Sequence, residues 1–282
     1  MSKASFLPTR LYGVLGWPLA QSLSPLLHNC GFQTLGIPSV YLRWEVPPQK
    51  LPAFVDSVRL LPISGCSITI PHKVSIMPLL DRIDETARLA GAVNTLFWEG
   101  ETLCGSNTDV AGFLAPLEGM ELTDAPILLL GAGGAARAIA AGLRLRGCRT
   151  VHVCTPSDTS HLPLAEEFGL TPLRWEQRYS MAARLVINAT PLGMRGKHED
   201  ESPYDFSRAP CPNGLAYDIV YNPLETRFLR EARAAGRQCV SGKEMFYAQG
   251  DAQFRLWTGQ PLPPAAQEAL SNALGCTPGT QA

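Results

Sequence analysis

A glycine-rich turn constrains this chain more than any other feature of its sequence. Residues 127–130, Ile-Leu-Leu-Leu, run directly into residues 131–136, Gly-Ala-Gly-Gly-Ala-Ala, and a helical pattern follows. In this context Gly131 permits a tight turn, Gly133 lets a pyrophosphate approach the backbone, and Ala136 lets the helix lie close to the strand. The N–H groups at the start of the helix favour a phosphate there. The pattern therefore predicts dinucleotide binding rather than a merely tight turn.

Apolar β-type runs alternate with helical patterns along the whole chain. This alternation is typical of an α/β fold with parallel sheets and right-handed crossovers. The strands are predicted in two series, residues 11–15, 40–46, 65–70, 92–97 and 102–106, then 127–130, 151–154, 185–188, 215–219 and 238–240. The helices are predicted to include residues 24–35, 50–60, 111–117, 135–146, 223–235 and 245–258.

The polar segment 118–124 lies between the two series of strands and marks a boundary. We therefore predict two lobes, residues 1–115 and residues 116–242. The residues after 242 are predicted to be helical, and we expect residues 243–282 to return to the first lobe. That return would close a cleft between the lobes.

Charge and cysteine content exclude several classes of function. The 282 residues carry 24 Lys and Arg against 25 Asp and Glu, so the basic excess of a nucleic-acid or membrane-surface protein is absent. No apolar signal segment begins the sequence, and residues 125–143 are too short and too interrupted by glycine to span a bilayer. Eight cysteines lack metal-binding spacing and are expected to be buried. We expect a cytoplasmic protein with no metal, nucleic acid or membrane partner.

Four polar segments of the first lobe fall at predicted strand ends or helix starts. They carry Ser22 and Ser24, Thr69 and Lys73, Asn94, and Asp109. Each has a structural explanation by itself, because Ser24 and Asp109 suit helix starts and a single Lys is usually a surface charge. A Lys and an Asp flanking a nicotinamide would instead form a proton-transfer pair. Lys73 and Asp109 are therefore candidate catalytic residues.

Taken in order, these motifs resemble those of the shikimate dehydrogenase family, which includes shikimate and quinate dehydrogenases. The matching motifs are Ser-x-Ser-Pro at 22–25, Thr-x-Pro-x-Lys at 69–73, Gly-Ala-Val-Asn-Thr at 91–95, Asn-Thr-Asp at 107–109, Gly-Ala-Gly-Gly-Ala at 131–135, Asn-Ala-Thr-Pro-Leu-Gly-Met at 188–194, Tyr-Asn-Pro at 221–223, and Gln249. The resemblance runs from about Tyr12 to Gly259. It implies a two-lobed α/β fold, with an N-terminal substrate domain and a Rossmann-type dinucleotide-binding domain on either side of a cleft.

The resemblance also implies the reaction, the reversible NADP-linked reduction of 3-dehydroshikimate to shikimate in aromatic amino acid (chorismate) biosynthesis. It implies a small-molecule substrate and a monomer or homodimer. Lys73 would be the acid/base and Asp109 its partner. The substrate-binding residues would be Ser22, Ser24 and Tyr221 at the carboxylate, and Thr69, Asn94 and Gln249 at the ring hydroxyls. The cofactor-binding residues would be Gly131, Ala132, Gly133, Gly134 and Ala135 at the pyrophosphate, and Ile219 and Gly242 along the nicotinamide.

Three segments depart from the family pattern. Ser67 stands where the family often has Asn, residues 154–156 (Cys-Thr-Pro) replace the usual Asn-Arg-Thr that binds the 2′-phosphate of NADP, and residues 241–245 are more charged than usual. Asp158 is equally consistent with a ribose contact or a solvated loop, and Arg137 or Arg174 could supply the missing positive charge. NAD is therefore a possible cofactor.

Three alternatives to this function stay open. The first is an NAD-dependent quinate/shikimate dehydrogenase, which the missing Arg favours. The second is a dinucleotide-sensing module without catalysis, which the presence of both Lys73 and Asp109 disfavours. The third is a structural α/β protein without a ligand, against which the glycine-rich turn argues.

Overall fold

The computed structural model describes residues 7–19, 22–209 and 213–275, and the chain forms two compact units. Unit 1 comprises Met1–Thr108 with Gln249–Ala282, and unit 2 comprises Asp109–Ala248. The lobes predicted from the sequence divide the chain at 115/116 and 242/243. The first of these points lies in the short 3-10 helix Ala115–Leu117, and the second lies at the start of the long helix Gly242–Thr258.

Unit 1 is built on a mixed six-stranded sheet. Its strands are β1 (Arg10–Gly16), β2 (Ser39–Glu45), β3 (Ile63–Ile68), β4 (Arg82–Ile83), β5 (Thr95–Glu99) and β6 (Thr102–Ser106), in the order β2-β1-β3-β5-β6-β4. β1 is parallel to β2 and β3, whereas β5 is antiparallel to β3 and β6. The parallel pairing expected from the sequence is wrong for β5, because a turn of only Gly100 and Glu101 joins it to β6 and a parallel crossover needs a longer connection.

Helices cover both faces of this sheet. They are α1 (Ser24–Thr34), α2 (Leu51–Leu60), α3 (Glu85–Ala90), the second half of α8 (Gly242–Thr258), and α9 (Pro264–Gly275). Leu15 packs in one core with Val55 and Val58 of α2. Tyr12 is an odd number of residues away on β1, so it points to the opposite face, where its ring meets Trp257 of α8 at 5.1 Å. Because α9 packs against α1, the C-terminal helices form part of unit 1.

Unit 2 contains an all-parallel six-stranded sheet. Its strands are β7 (Ile127–Leu130), β8 (Val151–Cys154), β9 (Thr171–Pro172), β10 (Leu185–Asn188), β11 (Leu215–Asp218) and β12 (Gln238–Val240), in the order β12-β11-β10-β7-β8-β9. Its helices are α4 (Thr108–Leu114), α5 (Gly134–Leu145), α6 (Leu162–Phe168), α7 (Arg227–Ala234) and the start of α8. This strand order is that of a dinucleotide-binding Rossmann fold, which confirms the predicted fold class.

The carboxyl ends of β7 and β10 define the point of unit 2 at which the strand order reverses. Sheets of this type bind ligands at such a switch point. β7 and β10 are buried along their whole length, as expected for central parallel strands, and Ala136 of α5 is fully buried against the sheet. The fold therefore places the glycine-rich turn and residues 188–194 side by side at this edge.

The described cysteines are free thiols. Cys66, Cys104 and Cys154 are buried as predicted, Cys30, Cys148 and Cys239 are partly exposed, and Cys211 and Cys276 lie outside the described residues. In the part of the chain that the structure describes, no helix is long and apolar enough to cross a membrane. The same residues contain no group of three His, Cys, Asp or Glu side chains arranged to hold a metal ion.

Candidate functional site

Buried amide and hydroxyl groups meet at the start of β5 in unit 1. The side-chain amide of Asn94 donates to Thr108 Oγ1 at 3.0 Å, and its carbonyl oxygen accepts from Thr95 Oγ1 at 2.7 Å and from the Thr108 N–H at 2.8 Å. Asn94 and both threonines are buried. These bonds fix the orientation of Asn94, one of the predicted substrate-binding residues. Thr108 opens α4, so Asp109 follows this group by one residue along the chain.

Gln253 extends these bonds to β3. Its amide donates to Thr95 Oγ1 at 2.9 Å, and its carbonyl oxygen accepts from the Ser67 hydroxyl at 2.8 Å. Ser67 in turn accepts from the Tyr41 hydroxyl at 2.6 Å. We call Ser67, Asn94, Thr95, Thr108 and Gln253 the amide–hydroxyl network. The shorter side chain of Ser67 is therefore integrated into a continuous chain of hydrogen bonds.

Two residues that take part in these hydrogen bonds, Gln253 and Tyr41, were not predicted from the sequence. Gln253 follows the candidate Gln249 by four residues on α8, and this spacing places two side chains on one face of a helix. That spacing was an available signal. No sequence pattern indicated Tyr41, because only the folded sheet brings β2 close enough to β3 for a hydrogen bond between Tyr41 and Ser67.

Ser22 and Ser24 lie at the start of α1. Burial raises the pKa of Tyr41 well above its usual value, and the hydrogen bonds between its hydroxyl group and Ser67 and Ser24 partly oppose that shift, so Ser24 lies beside Tyr41. The Ser22 hydroxyl accepts from the Ser24 N–H at 3.4 Å, and the Ser22 carbonyl accepts from the guanidinium of Arg43 at 2.6 Å. The structure therefore brings the two predicted serines together and adds a positive charge next to them.

Lys73 and Thr69 lie on the segment that follows β3. The Thr69 N–H donates to the Leu15 carbonyl at 2.9 Å, and the Lys73 carbonyl accepts from the Val93 N–H at 2.7 Å. Between them, buried His72 bonds the Val46 carbonyl through Nε2 at 2.7 Å. The half-buried Lys73 is thus anchored beside the residue that precedes Asn94.

Gly131 and Gly133 of the glycine-rich turn in unit 2 are glycines for different structural reasons. Gly131 has φ +111°, and a Cβ there would lie 2.8 Å from the Ala189 carbonyl oxygen, so only glycine fits. Gly133 has φ −78°, and a Cβ there would meet nothing within 4 Å. The protein alone does not require glycine at 133, whereas a pyrophosphate lying against the backbone does. As the N-cap of α5, Gly133 also brings no side chain to compete for the first helical N–H groups.

The predicted nicotinamide residues also meet in unit 2. A Cβ on Gly242 would lie 2.3 Å from the Ile219 carbonyl oxygen, and the Ile219 N–H donates to the Asn188 carbonyl at 3.1 Å. The Tyr221 ring stacks on Phe246 with centroids 4.5 Å apart. All predicted cofactor residues therefore belong to unit 2.

The substrate and catalytic candidates divide between the two units. Unit 1 holds Ser22, Ser24, Thr69, Lys73, Asn94 and Gln249. Unit 2 holds Tyr221, and it begins at Asp109.

A cluster of hydroxyl groups follows β8, where the family pattern has Arg. Thr155 Oγ1 lies 2.9 Å from His161 Nδ1 and accepts from the Ser160 hydroxyl at 2.9 Å. The Ser157 hydroxyl donates to Ser160 Oγ at 2.9 Å and accepts from the Ser160 N–H at 3.0 Å. We call Thr155, Ser157, Ser160 and His161 the hydroxyl cluster. Burial lowers the pKa of His161, which favours a neutral imidazole there.

Three charged residues, Asp158, Arg137 and Arg174, were candidates for binding the ribose or its 2′-phosphate. Asp158 adopts φ +57° and its carboxylate accepts from the Trp175 N–H at 2.6 Å, which joins the segment after β8 to the 3-10 helix Trp175–Tyr179. Arg137 pairs with Glu167, and its guanidinium lies 5.5 Å from the centre of the Phe168 ring. Arg174 is exposed. The segment after β8 therefore carries the hydroxyl cluster at the place where the family pattern has Arg.

The chain is similar to known proteins over nearly its whole length. A sequence model described as the shikimate dehydrogenase substrate binding domain matches residues 14–96, which lie in unit 1. The chain is 52% identical over 95% of its length to a shikimate dehydrogenase (NADP(+)) of Pelobacter propionicus, covering 97% of that protein. It is 48% identical over 96% of its length to a protein of the same name from Oleidesulfovibrio alaskensis, covering 98% of it.

A solved structure is similar over almost the whole fold. It is the crystal structure of shikimate 5-dehydrogenase from Thermus thermophilus in complex with NADP(H) and shikimate. The TM-score is 0.85 at 40% sequence identity, and the alignment covers 94% of this chain and 100% of that chain.

Proposed function

The chain belongs to the shikimate dehydrogenase family, and on that premise we propose that it catalyses the reversible NADP-linked reduction of 3-dehydroshikimate to shikimate. It is then an oxidoreductase acting on a CH–OH group in aromatic amino acid biosynthesis. The structural observation that carries this proposal is the hydrogen bond from the Val93 N–H to the Lys73 carbonyl, which holds the Lys73 backbone next to Asn94 of the amide–hydroxyl network in unit 1. A cation next to uncharged donors and acceptors suits a polyol with one reacting oxygen.

The substrate carries three oxygens on its ring and a carboxylate, and unit 1 holds all but one of the residues that would bind them. Thr69, Asn94 and Gln249 bind the ring oxygens, and a site built to bond hydroxyl groups discriminates strongly against analogues that lack them. Ser22, Ser24 and Tyr221 bind the carboxylate. The guanidinium of Arg43, held at the Ser22 carbonyl, adds a favourable positive charge at this end.

The proton is handled by Lys73. When bound, NADPH supplies the hydride to the carbonyl carbon. The Lys73 ammonium stabilises the negative charge that develops on the carbonyl oxygen and then donates a proton to it. In the oxidative direction, neutral Lys73 accepts the proton of the hydroxyl group. Asp109, on the first turn of α4, is the carboxylate that orients Lys73.

The residues of unit 2 fit a dinucleotide. The open space over Gly133 and the N–H groups that begin α5 receive the pyrophosphate, which contacts Gly131, Ala132, Gly133, Gly134 and Ala135. Ile219 and Gly242, in mutual contact, lie along the nicotinamide.

A second candidate function is favoured by the hydroxyl cluster, namely the use of NAD alongside NADP. A ribose 2′-hydroxyl can both donate to and accept from neutral hydroxyl groups, so such groups are compatible with NAD. A 2′-phosphate gains most from a charged partner, since charge-assisted hydrogen bonds are about twice as strong as neutral ones. The hydroxyl cluster, with buried Thr155 and exposed Ser157, therefore supports a weaker preference for NADP than an Arg-bearing relative has.

A steady-state assay with shikimate and quinate against NADP+ and NAD+ tests this proposal. We expect shikimate-dependent reduction of NADP+ at alkaline pH, where release of the product proton favours oxidation. Faster turnover of quinate would favour the quinate/shikimate alternative. Folded protein that binds NADP+ and turns over neither substrate would instead be a sensing module.

A further inference from the structure

Asp218 is a buried carboxylate to which the proposed mechanism gives no role. It is the last residue of β11 and is fully buried. One carboxylate oxygen accepts from the Asn188 side-chain amide at 2.9 Å and from the Val220 N–H at 3.0 Å, and the other accepts from the Thr226 hydroxyl at 2.5 Å. We call Asn188, Asp218 and Thr226 the Asp218 network. Asn188 and Asp218 are the last residues of the neighbouring strands β10 and β11, and Thr226 is the N-cap of α7.

Asn188 carries the network into the motif at 188–194. Its side-chain carbonyl accepts from the Thr190 N–H at 3.0 Å and from the Thr190 hydroxyl at 2.6 Å. Its amide, besides bonding Asp218, donates to the Leu192 carbonyl at 3.0 Å. One side chain therefore folds this turn and ties it to Asp218.

The turn held in this way touches the pyrophosphate end of the cofactor site. Thr190 Cγ2 lies 3.2 Å from the position that a Cβ would take on Gly131, and the Ala189 N–H donates to the Leu130 carbonyl at 2.8 Å. Gly131 is also fixed from its other side, since its N–H donates to the Cys154 carbonyl at 3.0 Å.

The same turn touches the nicotinamide end. A Cβ on Gly193, which has φ +93°, would lie 3.1 Å from Thr226 Cβ, and the Arg195 N–H donates to the Asn222 carbonyl at 2.9 Å. Thr226 is in addition the N-cap of α7, accepting from the Leu229 N–H. Residues 219–226 are thus held between the turn at 188–194 and α7, and the preceding Asp218 bonds two of them, Val220 and Thr226.

A carboxylate is a costly group to place in this position. Burial raises the pKa of Asp218 to about 7, against the opposing effect of its bonds to Thr226, Val220 and Asn188. An apolar residue of similar size would avoid this cost but would leave three buried donors without an acceptor. The carboxylate is the one common side chain that accepts from all three at once.

We propose that Asp218 is a positioning residue for the cofactor, holding residues 188–194 and 219–226 so that Ile219 keeps its place against the nicotinamide. This inference rests on the proposed function, because it takes NADP as the ligand. Asp218 touches neither substrate nor cofactor in this account, and it acts through Asn188, Val220 and Thr226.

The first test needs no ligand. We expect Asp218→Asn, which exchanges one acceptor oxygen for a donor, to increase amide hydrogen exchange in peptides covering 188–194 and 219–226. Asp205→Asn is the matched control, because the Asp205 carboxylate accepts from the N–H and the hydroxyl of Ser207 within its own exposed turn, and the variant should change neither peptide. Unchanged exchange in both peptides of folded Asp218→Asn would overturn the proposal.

The second test separates positioning from general stability by titrating two ligands. Thr226→Val removes one donor, and we expect it and Asp218→Asn to weaken NADP+ about tenfold or more, because small misplacements of binding groups are costly. Binding of 2′-phospho-ADP-ribose, which lacks the nicotinamide, should change by less than about threefold, since Gly131 keeps its bond to Cys154. Thr226→Ser, which retains the hydroxyl, should restore NADP+ binding.

Equal weakening of both ligands, or unchanged binding of NADP+, would contradict the positioning role. If Asp218→Asn does not fold, the Thr226 pair decides the question. Failure of the proposed function is distinguishable, because the wild-type protein itself would then not bind NADP+ or oxidise shikimate.

Discussion

The two units present polar groups at the edges of their sheets in different ways. Unit 1 uses side chains, namely the uncharged amide–hydroxyl network and the half-buried Lys73. Unit 2 uses its backbone at the glycine-rich turn, and its side chains, including Asp218, serve to hold the backbone in place. Unit 1 should therefore lose function when side chains are removed, and unit 2 when atoms are added next to its glycines.

The units also differ in the titratable group that each one buries. Burial lowers the pKa of His28 in unit 1 to about 3, with a small opposing effect of Gln253, and raises the pKa of Asp218 in unit 2 to about 7. Both groups are fully buried and therefore favour their neutral forms. Their effects on stability have opposite dependence on pH.

The largest effect is expected from removing the proton donor of unit 1. Lys73→Ala should reduce kcat by roughly 10²–10⁴-fold and change KM little, since general acid–base catalysis acts in the transition state. Steady-state kinetics check this, with the exposed Lys50→Ala as the control for loss of a lysine. A near-normal kcat for Lys73→Ala would show that another group handles the proton.

The pH dependence of stability should separate the two buried groups. Below pH about 6.5 the unfolded chain protonates His28 and the folded chain does not, so the free energy of unfolding falls by up to ~5 kcal/mol between pH 6.5 and 3. Between pH about 4 and 7 folded Asp218 holds a proton that the unfolded chain releases. The contribution of Asp218 to the free energy of unfolding therefore falls as pH rises, by up to ~4 kcal/mol.

Denaturant unfolding across this pH range measures both slopes. His28→Phe, whose ring can stack on the rings of Tyr41 and Phe254, should remove the loss of stability at acid pH. Asp218→Asn should remove the loss of stability as the pH rises toward about 7. Identical pH slopes in wild type and both variants would show that neither group is linked to folding.

The cofactor preference tests whether the hydroxyl cluster acts as an uncharged site. Thr155→Arg should shift the ratio of kcat/KM toward NADP by at most ~1.5–3 kcal/mol, the value of a hydrogen bond to a charged group. Ser180→Arg, at an exposed position of the same unit, controls for added charge. A wild-type preference for NADP of many thousandfold would mean that a different group binds the phosphate.

Gly131 and Gly133 of the glycine-rich turn should respond differently to an added methyl group. Gly131→Ala places a Cβ against a carbonyl oxygen at a positive φ and should lower the free energy of unfolding by ~1–3 kcal/mol. Gly133→Ala should leave stability within about 0.5 kcal/mol of wild type, yet weaken NADP+ about tenfold, or ~1.4 kcal/mol. Unfolding curves and NADP+ titrations measure the two effects, and unimpaired binding by Gly133→Ala would place the pyrophosphate elsewhere.

The sequence predicted best what depends on local pattern. The apolar run before Gly131, the glycine spacing and the small Ala136 specify a strand, turn and helix within a dozen residues, and the structure has all three. The antiparallel β5 was missed because a short apolar run has the same pattern in either direction, and only its two-residue turn to β6 reveals it.

Hydrogen bonds between residues far apart in the chain could not be predicted from the sequence. Ser67 and Gln253 bond across 186 residues, and Asn188 and Asp218 across 30. No local pattern indicates that such pairs meet. The motif at 188–194 was visible, but its partner Asp218 was indistinguishable from an ordinary residue at a strand end.

A crystal structure of the protein with NADP+ and shikimate tests the assignment of chemistry to unit 1 and cofactor backbone contacts to unit 2 most directly. We expect the hydroxyl group that is oxidised to lie within about 3.5 Å of Lys73 Nζ, and the pyrophosphate to accept hydrogen bonds of about 3 Å from N–H groups of residues 132–135. Shikimate bound away from Lys73, or a pyrophosphate that does not contact the turn, would contradict the account.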